Sequence, residues 1–228
     1  MKGIVLAGGT GSRLHPLTVA VSKQLLPVYD KPMIFYPLET LRSMGIKEVL
    51  VITTPHDQES FQKLLRDGAE FDMALTYAIQ ENPNGIAEAL IIGEDFLDGQ
   101  PVALILGDNV FHSAADFFPN DWDADYVGAT IFAYETEEAK RFGVVEFDES
   151  GKVISIEEKP EHPKSDIAQT GIYMYDNRAF EFIDRLKPSD RGQLEITDLN
   201  NIYVKEGTLE CEIINWWIDA GTSHDELL

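Results

Sequence analysis

The chain has 228 residues, forty of them acidic and eighteen basic, for a net charge of −22; a basic face for nucleic acid is therefore not expected. With 44% hydrophobic and 10% aromatic residues it can bury a sizeable core, and its one cysteine, Cys211, rules out an internal disulfide and suits a reducing cytoplasm. No stretch approaches the ~20 apolar residues of a membrane span, and the start does not read as a signal peptide, because its short apolar run breaks at once into glycines.

Apolar runs alternate with helical patterns through the first half. Residues 4–7 are predicted as a strand, and 32–44 as a helix with Met33, Pro37, Leu38 and Leu41 on one face and Gly45 as its stop. A continuous apolar run at 49–52 predicts a strand covered on both faces. Then come a helix at 56–66 with Phe61, Leu64 and Leu65 inward, a strand at 74–79, a helix at 85–96 and a buried strand at 102–106. The second half is richer in strands, predicted at 127–134, 143–147, 153–157, 168–175 and 208–213, with helices at 178–186 and 194–205. This rhythm predicts an α/β fold: a Rossmann-like mixed, mostly parallel sheet flanked by helices, in one domain spanning 1–228. Ligands in such sheets bind beyond the carboxyl ends of the strands. Two loops are predicted there, one from Gly8 to Arg13 and one at Gly107-Asp108-Asn109.

The first loop carries three glycines in four positions, Gly8, Gly9 and Gly11, with Arg13 and then Lys23 close behind. Glycines let backbone N–H groups crowd an anion, and the two cations can add charge-assisted hydrogen bonds. The competing reading is a tight turn and nothing more. The loop is not G-x-x-x-x-G-K-[ST], and Leu14 replaces the third glycine of G-x-G-x-x-G, so ordinary phosphate-loop and dinucleotide readings both fail. Asp108 is placed as a Mg²⁺ ligand usually is, at a strand's end, although an Asx turn or helix cap would use the same residue. Asp219 is a second such carboxylate, with a cap ahead of a last helix as its alternative. Lys159 follows Glu157 and Glu158, which keep it charged, and Pro160 restricts the chain's exit. Asp121 to Asp125 resembles the start of a calcium loop, but Tyr126 stands where glycine is required, so a solvated loop is expected. The histidines at 15, 56, 112, 162 and 224 show no metal-ligand spacing, and no G-x-S-x-G occurs.

Taken in order, several motifs resemble the sugar-1-phosphate nucleotidylyltransferases, and among them those that transfer a thymidylyl group to glucose-1-phosphate. They are Leu6-Ala7-Gly8-Gly9-Thr10-Gly11-Ser12-Arg13-Leu14, Ser22-Lys23-Gln24-Leu25-Leu26-Pro27-Val28, Lys31-Pro32-Met33-Ile34, Leu106-Gly107-Asp108-Asn109, Phe142-Gly143-Val144-Val145, Glu157-Glu158-Lys159-Pro160-Glu161, Thr170-Gly171-Ile172-Tyr173, Leu194-Glu195-Ile196-Thr197-Asp198 and Trp217-Ile218-Asp219-Ala220-Gly221-Thr222. The resemblance implies a nucleotide-binding half over about 1–115 and a sugar-binding half over about 116–228. It implies that Leu6, Gly8, Gly9, Thr10, Gly11, Arg13, Lys23, Gln24, Gln80, Gly85 and Asp108 bind dTTP, with some use of UTP. It assigns Asn109, Gly143, Glu158, Lys159, Thr170, Gly171 and Tyr173 to glucose-1-phosphate, and Asp108 and Asp219 to Mg²⁺. Arg13, Lys159 and Asp108 would be the catalytic residues. The implied reaction is in-line attack of a glucose-1-phosphate oxygen on the α-phosphorus of dTTP, with pyrophosphate leaving. That nucleophile is already an anion and needs no general base. Two rivals are a uridylyl- or adenylyl-transferring enzyme of the same fold and a non-catalytic nucleotide-sugar-binding regulator. The regulator would be expected to lack Arg13, Lys159 or a metal aspartate, and all are present. The chain stops at Leu228, nine residues after Asp219, which reads as a short form with little of the end-product feedback seen in longer members. The family also implies a homo-oligomer, dimer or tetramer.

Overall fold

The computed structural model describes residues 1–9, 11–111 and 126–221. Thr10, His112, the 121–125 segment, Thr222 and His224 lie outside the described residues. Strand β1 (Lys2–Ala7) is the middle of the parallel part of the sheet. A two-residue ladder, β2 (Pro27–Val28) with β3 (Lys31–Pro32), precedes helix α1 (Phe35–Ser43). The predicted helix from residue 32 thus starts late, because Lys31 and Pro32 are held extended by pairing. Met33, Pro37, Leu38 and Leu41 are buried as predicted, and Gly45 takes the positive φ of 79° that ends the helix.

Strands β4 (Glu48–Thr53) and β5 (Ala74–Ile79) flank helix α2 (Gln58–Leu65). The predicted helix at 85–96 is two shorter ones, α3 (Glu88–Ile92) and α4 (Glu94–Leu97). They meet at Gly93, where a side chain would press to 2.6 Å from Ile4 Cδ1; glycine lets the break lie directly on β1. Next come β6 (Val102–Leu106), β7 (Asn109–Phe111), β8 (Ala129–Glu135), β9 (Gly143–Phe147), β10 (Val153–Glu158) and β11 (Ile167–Tyr175). Helices α5 (Ala179–Ile183) and α6 (Ile196–Glu206) follow, then β12 (Leu209–Ile213) and β13 (Trp217–Asp219).

The main sheet runs β10-β9-β11-β6-β1-β4-β5, with β8 on the other side of β11 and β12 beyond it. β6, β1, β4 and β5 are mutually parallel, and β12 is parallel to β8; β11 is antiparallel to β6, β8 and β9. Alternate residues of the parallel strands feed two cores. Ile4, Leu50, Ile52, Val102 and Leu104 face one, with α3, α5 and α6 over them; Val5, Val49, Val51, Ala103 and Ile105 face the other, under α1 and α2. Both faces are covered, which is why these strands read as unbroken apolar runs.

β7 and β13 were not predicted. They pair antiparallel outside the main sheet, with Asp219 opposite Asn109. Asp219 ends a strand, and the ladder delivers it beside the loop after β6; the last helix expected beyond it lies outside the described residues.

Candidate active site

The site lies beyond the carboxyl ends of β1 and β6. It is a cleft with two adjoining chambers of about 310 Å³ and 230 Å³. The smaller is walled by Leu6, Gly8, Gln24, Gln80 and Gly85, and the larger by Arg13, Asn109, Gly143, Thr170, Gly171, Tyr173 and Asp219. Gly9, Lys23, Asp108, Glu158 and Lys159 border both. Every described residue that the sequence singled out as a binding, metal or catalytic group lines one chamber or the other; Thr10 lies outside the described residues.

Charge is concentrated here. Arg13, Lys23, Arg141, Lys159 and Arg191 line the two chambers, five of the chain's eighteen basic residues. The loops that carry them come from both halves of the chain.

At the junction Lys23 Nζ pairs with Asp108 Oδ2, both side chains being about one-eighth exposed. Burial pushes the Asp108 carboxyl up, but the Lys23 ammonium and a hydrogen bond from Asn109 outweigh it and hold the acid below its usual range. Lys23 also runs alongside Gly9, where a side chain would come within 3.1 Å of its Cε. Gly221 passes closer still: a side chain there would meet Asp108 Oδ2 and Lys23 Nζ at 2.5 Å. The backbone itself closes the junction.

Asn109 is a hub. Its Nδ2 donates to Asp108 Oδ1 at 3.1 Å, while its Oδ1 accepts from Gly171 N at 2.9 Å and Trp217 Nε1 at 2.6 Å. It is 1% exposed. Its carboxamide ties together the loop after β6, the middle of β11 and the start of β13. Gly171 is glycine for this reason, since a side chain there would strike the Asn109 carboxamide at 2.5 Å.

Lys159 directly follows β10 with φ +46°, and its N–H donates to Phe142 O at 2.9 Å. A non-glycine residue held left-handed stores strain, and such strain collects at functional sites. The ammonium stands 3.2 Å from Glu158 Oε1. Glu158 also accepts from Thr197 Oγ1 at 2.7 Å and Arg191 Nη2 at 3.2 Å. Behind Thr197 runs a buried relay: Gln169 Nε2 donates to Thr197 Oγ1, Asn200 Nδ2 to Gln169 Oε1, and Tyr175 OH to Asn200 Oδ1, at 2.7, 3.0 and 2.6 Å. Tyr173 lines the same chamber as a neutral phenol: burial, then the carboxylates Glu158, Asp108 and Asp219, push its pKa far up.

The sequence reading missed Gln169, Asn200, Tyr175, Arg141 and Arg191 altogether, and gave Glu195, Thr197 and Trp217 no role although they stand in its motifs. Nothing in the local pattern of Gln169 marks it. An amide buried mid-strand declares itself only through partners 28 and 31 residues away.

Among the described residues no group of three or more His, Cys, Asp or Glu could hold a metal by itself. Asp108 and Asp219 offer two hard carboxylates on one cavity wall. Such a pair fits Mg²⁺, which keeps waters and takes further ligands from substrate phosphates.

The Nucleotidyl transferase family profile matches residues 2–227. A glucose-1-phosphate thymidylyltransferase of Neisseria meningitidis is 53% identical, over all of this chain and 80% of the relative. A Bacillus anthracis structure assigned as a glucose-1-phosphate thymidylyltransferase superposes with a TM-score of 0.89 at 41% identity, covering 100% of this chain and 92% of the other. A UDP-glucose pyrophosphorylase structure superposes with a TM-score of 0.83 at 23% identity, over 99% and 95% of the two chains, a likeness of fold. Among the described residues no helix is long and apolar enough to cross a membrane.

Proposed function

The chain belongs to the Nucleotidyl transferase family, and from that premise we propose that it transfers a thymidylyl group from dTTP to glucose-1-phosphate, giving dTDP-glucose and pyrophosphate. The observation that carries this reading is the convergence of Arg13, Lys23, Asp108, Lys159 and Asp219 on one cleft. The name of the Neisseria relative, matched over the whole chain, supports the choice of substrates.

In this reading the small chamber takes the nucleoside. Gly8, Gly9, Gly11 and Arg13 hold the triphosphate, and Gln80 and Gly85 read the base. The large chamber takes the sugar phosphate, with Lys159 on its phosphate and Glu158 on the sugar hydroxyls. Two polyanions must approach, and the leaving pyrophosphate gathers charge. Arg13, Lys23 and Lys159 lower both barriers by position and charge. Asp108 and Asp219 would hold Mg²⁺, which when bound neutralises phosphate charge. Lys23 then has a second use: it pairs with Asp108 and, bordering both chambers, would also contact the triphosphate. The acceptor phosphate is already ionised, so no residue is needed as a base.

The test is pyrophosphate release with glucose-1-phosphate and each of dTTP, UTP, CTP and ATP, with and without Mg²⁺. Turnover is expected with dTTP in the presence of Mg²⁺, and none with any nucleotide would sink the reading. UTP should be used in part, because one methyl group discriminates by only ~1–3 kcal/mol.

A further inference from the structure

Gln80 is 6% exposed and has both amide hydrogens committed. Its Nε2 donates to Glu88 Oε2 at 2.7 Å and to Gly85 O at 3.1 Å. Its Oε1 faces the other way, toward Gly8, where a side chain would meet it at 3.0 Å. Glu88 is itself held, its Oε1 accepting from Asn84 Nδ2 at 2.8 Å. A carboxylate has no hydrogen to give. Rotating the Gln80 amide by half a turn would set its oxygen against the Glu88 carboxylate and the Gly85 carbonyl, two acceptor–acceptor contacts. The amide therefore has one orientation, and only a carbonyl oxygen is turned to the small chamber.

We infer that Glu88, which does not line the cleft, is a specificity-determining positioning residue: by fixing Gln80 it makes the base chamber select a ring N–H donor and reject a ring nitrogen that can only accept. The inference rests on the small chamber's being the base site, as proposed above. Thymine and uracil carry N–H at ring position 3 and meet the Gln80 oxygen with a donor. Cytosine presents a lone pair at that position and adenine one at its corresponding edge, and each sets acceptor against acceptor. A hydrogen-bonding group left facing the wrong edge discriminates more sharply than a methyl group does. Glutamate at position 88 matters because a neutral amide there could give or accept, which would leave the Gly85 carbonyl alone to oppose the flipped Gln80.

The test compares dUTP with dCTP, which differ at the base edge and not at the 5-methyl. Affinities are measured by calorimetry on the full chain without glucose-1-phosphate. The wild type is expected to favour dUTP by roughly 10- to 100-fold, the range for a buried mispaired hydrogen bond. In Glu88→Gln that ratio should fall by about threefold or more, since a charge-assisted bond gives way to a neutral one and one of the two acceptors that oppose the flipped amide is gone. Glu88→Met, which cannot accept a hydrogen bond, should lower it likewise, and thermal melts check that each variant is folded. Equal binding of the two nucleotides by the wild type overturns the inference, as does an unchanged ratio in the folded variants. Absence of turnover with glucose-1-phosphate would instead overturn the proposed reaction and leave this ratio standing.

Discussion

Lys159 shows how much one residue's chemistry depends on its backbone. Its charge was legible in the sequence, from two preceding acids and the end of a strand. Its left-handed φ of +46° was not, since only the N–H bond to Phe142 O reveals the turn that demands it. Replacing Lys159 by alanine should raise KM for glucose-1-phosphate by ten-fold or more, while KM for dTTP shifts far less; loss of one charge-assisted contact to phosphate is worth roughly 1.5–3 kcal/mol. Steady-state kinetics with each substrate varied will separate the two. An effect confined to dTTP would place Lys159 on the wrong substrate. Asp108→Asn keeps the side chain's shape and removes the charge that would face Mg²⁺. Turnover should fall by roughly 10²- to 10³-fold, the scale for losing one preorganised electrostatic group, and raising Mg²⁺ should not restore it. Near-normal activity would take Asp108 out of the metal site.

At the level of elements, the parallel strands were readable because burial on both faces writes an unbroken apolar run, as in β1, β4 and β6. The β7–β13 ladder was not. Each strand has three residues, and they are joined across more than a hundred positions, Asn109 to Trp217. So the sequence could nominate Asp108 and Asp219 separately but could not show that one ladder sets them on the same cavity wall. The same holds for Asn109, which reads as a group for the sugar phosphate: its two distant partners, Gly171 and Trp217, could not be read from the sequence. Asn109→Ala would strand two buried donors, Gly171 N and Trp217 Nε1. At ~1–3 kcal/mol for each unsatisfied group, the variant should be destabilised by about 2–6 kcal/mol in urea unfolding. An unchanged midpoint would mean that water replaces the amide and that the ladder does not depend on it.

Across the whole molecule, forty acids against eighteen bases make self-repulsion the dominant long-range force at neutral pH. Screening shortens its reach to about 10 Å at 0.1 M salt. Raising NaCl from low concentration should therefore raise Tm at pH 7, and the gain should shrink near pH 5, where the net charge moves toward zero at the sequence pI of about 4.4. Asp108 works against this trend at the acid end. Its carboxyl sits below the ordinary value of 3.8 in the folded chain, through Lys23 and Asn109 acting against burial. A depressed acid contributes stability that is present in full above its unfolded pKa and is lost as pH falls through the folded one. Relief of repulsion thus stabilises the chain down to about pH 4, and below 3.8 the stability that the Lys23–Asp108 pair contributes begins to be lost, the pair itself persisting until pH reaches the depressed folded value. The double variant Lys23→Met with Asp108→Asn removes the titrating group without leaving a buried ammonium unpaired. Below pH 3.8 its stability should fall less steeply than that of the wild type, by up to about 1.4 kcal/mol per pH unit, the slope of one proton. Urea midpoints measured from pH 5 to pH 2.5 give both limbs. Parallel limbs would show that acid sensitivity comes from the surface carboxylates and not from the pair that closes the cleft.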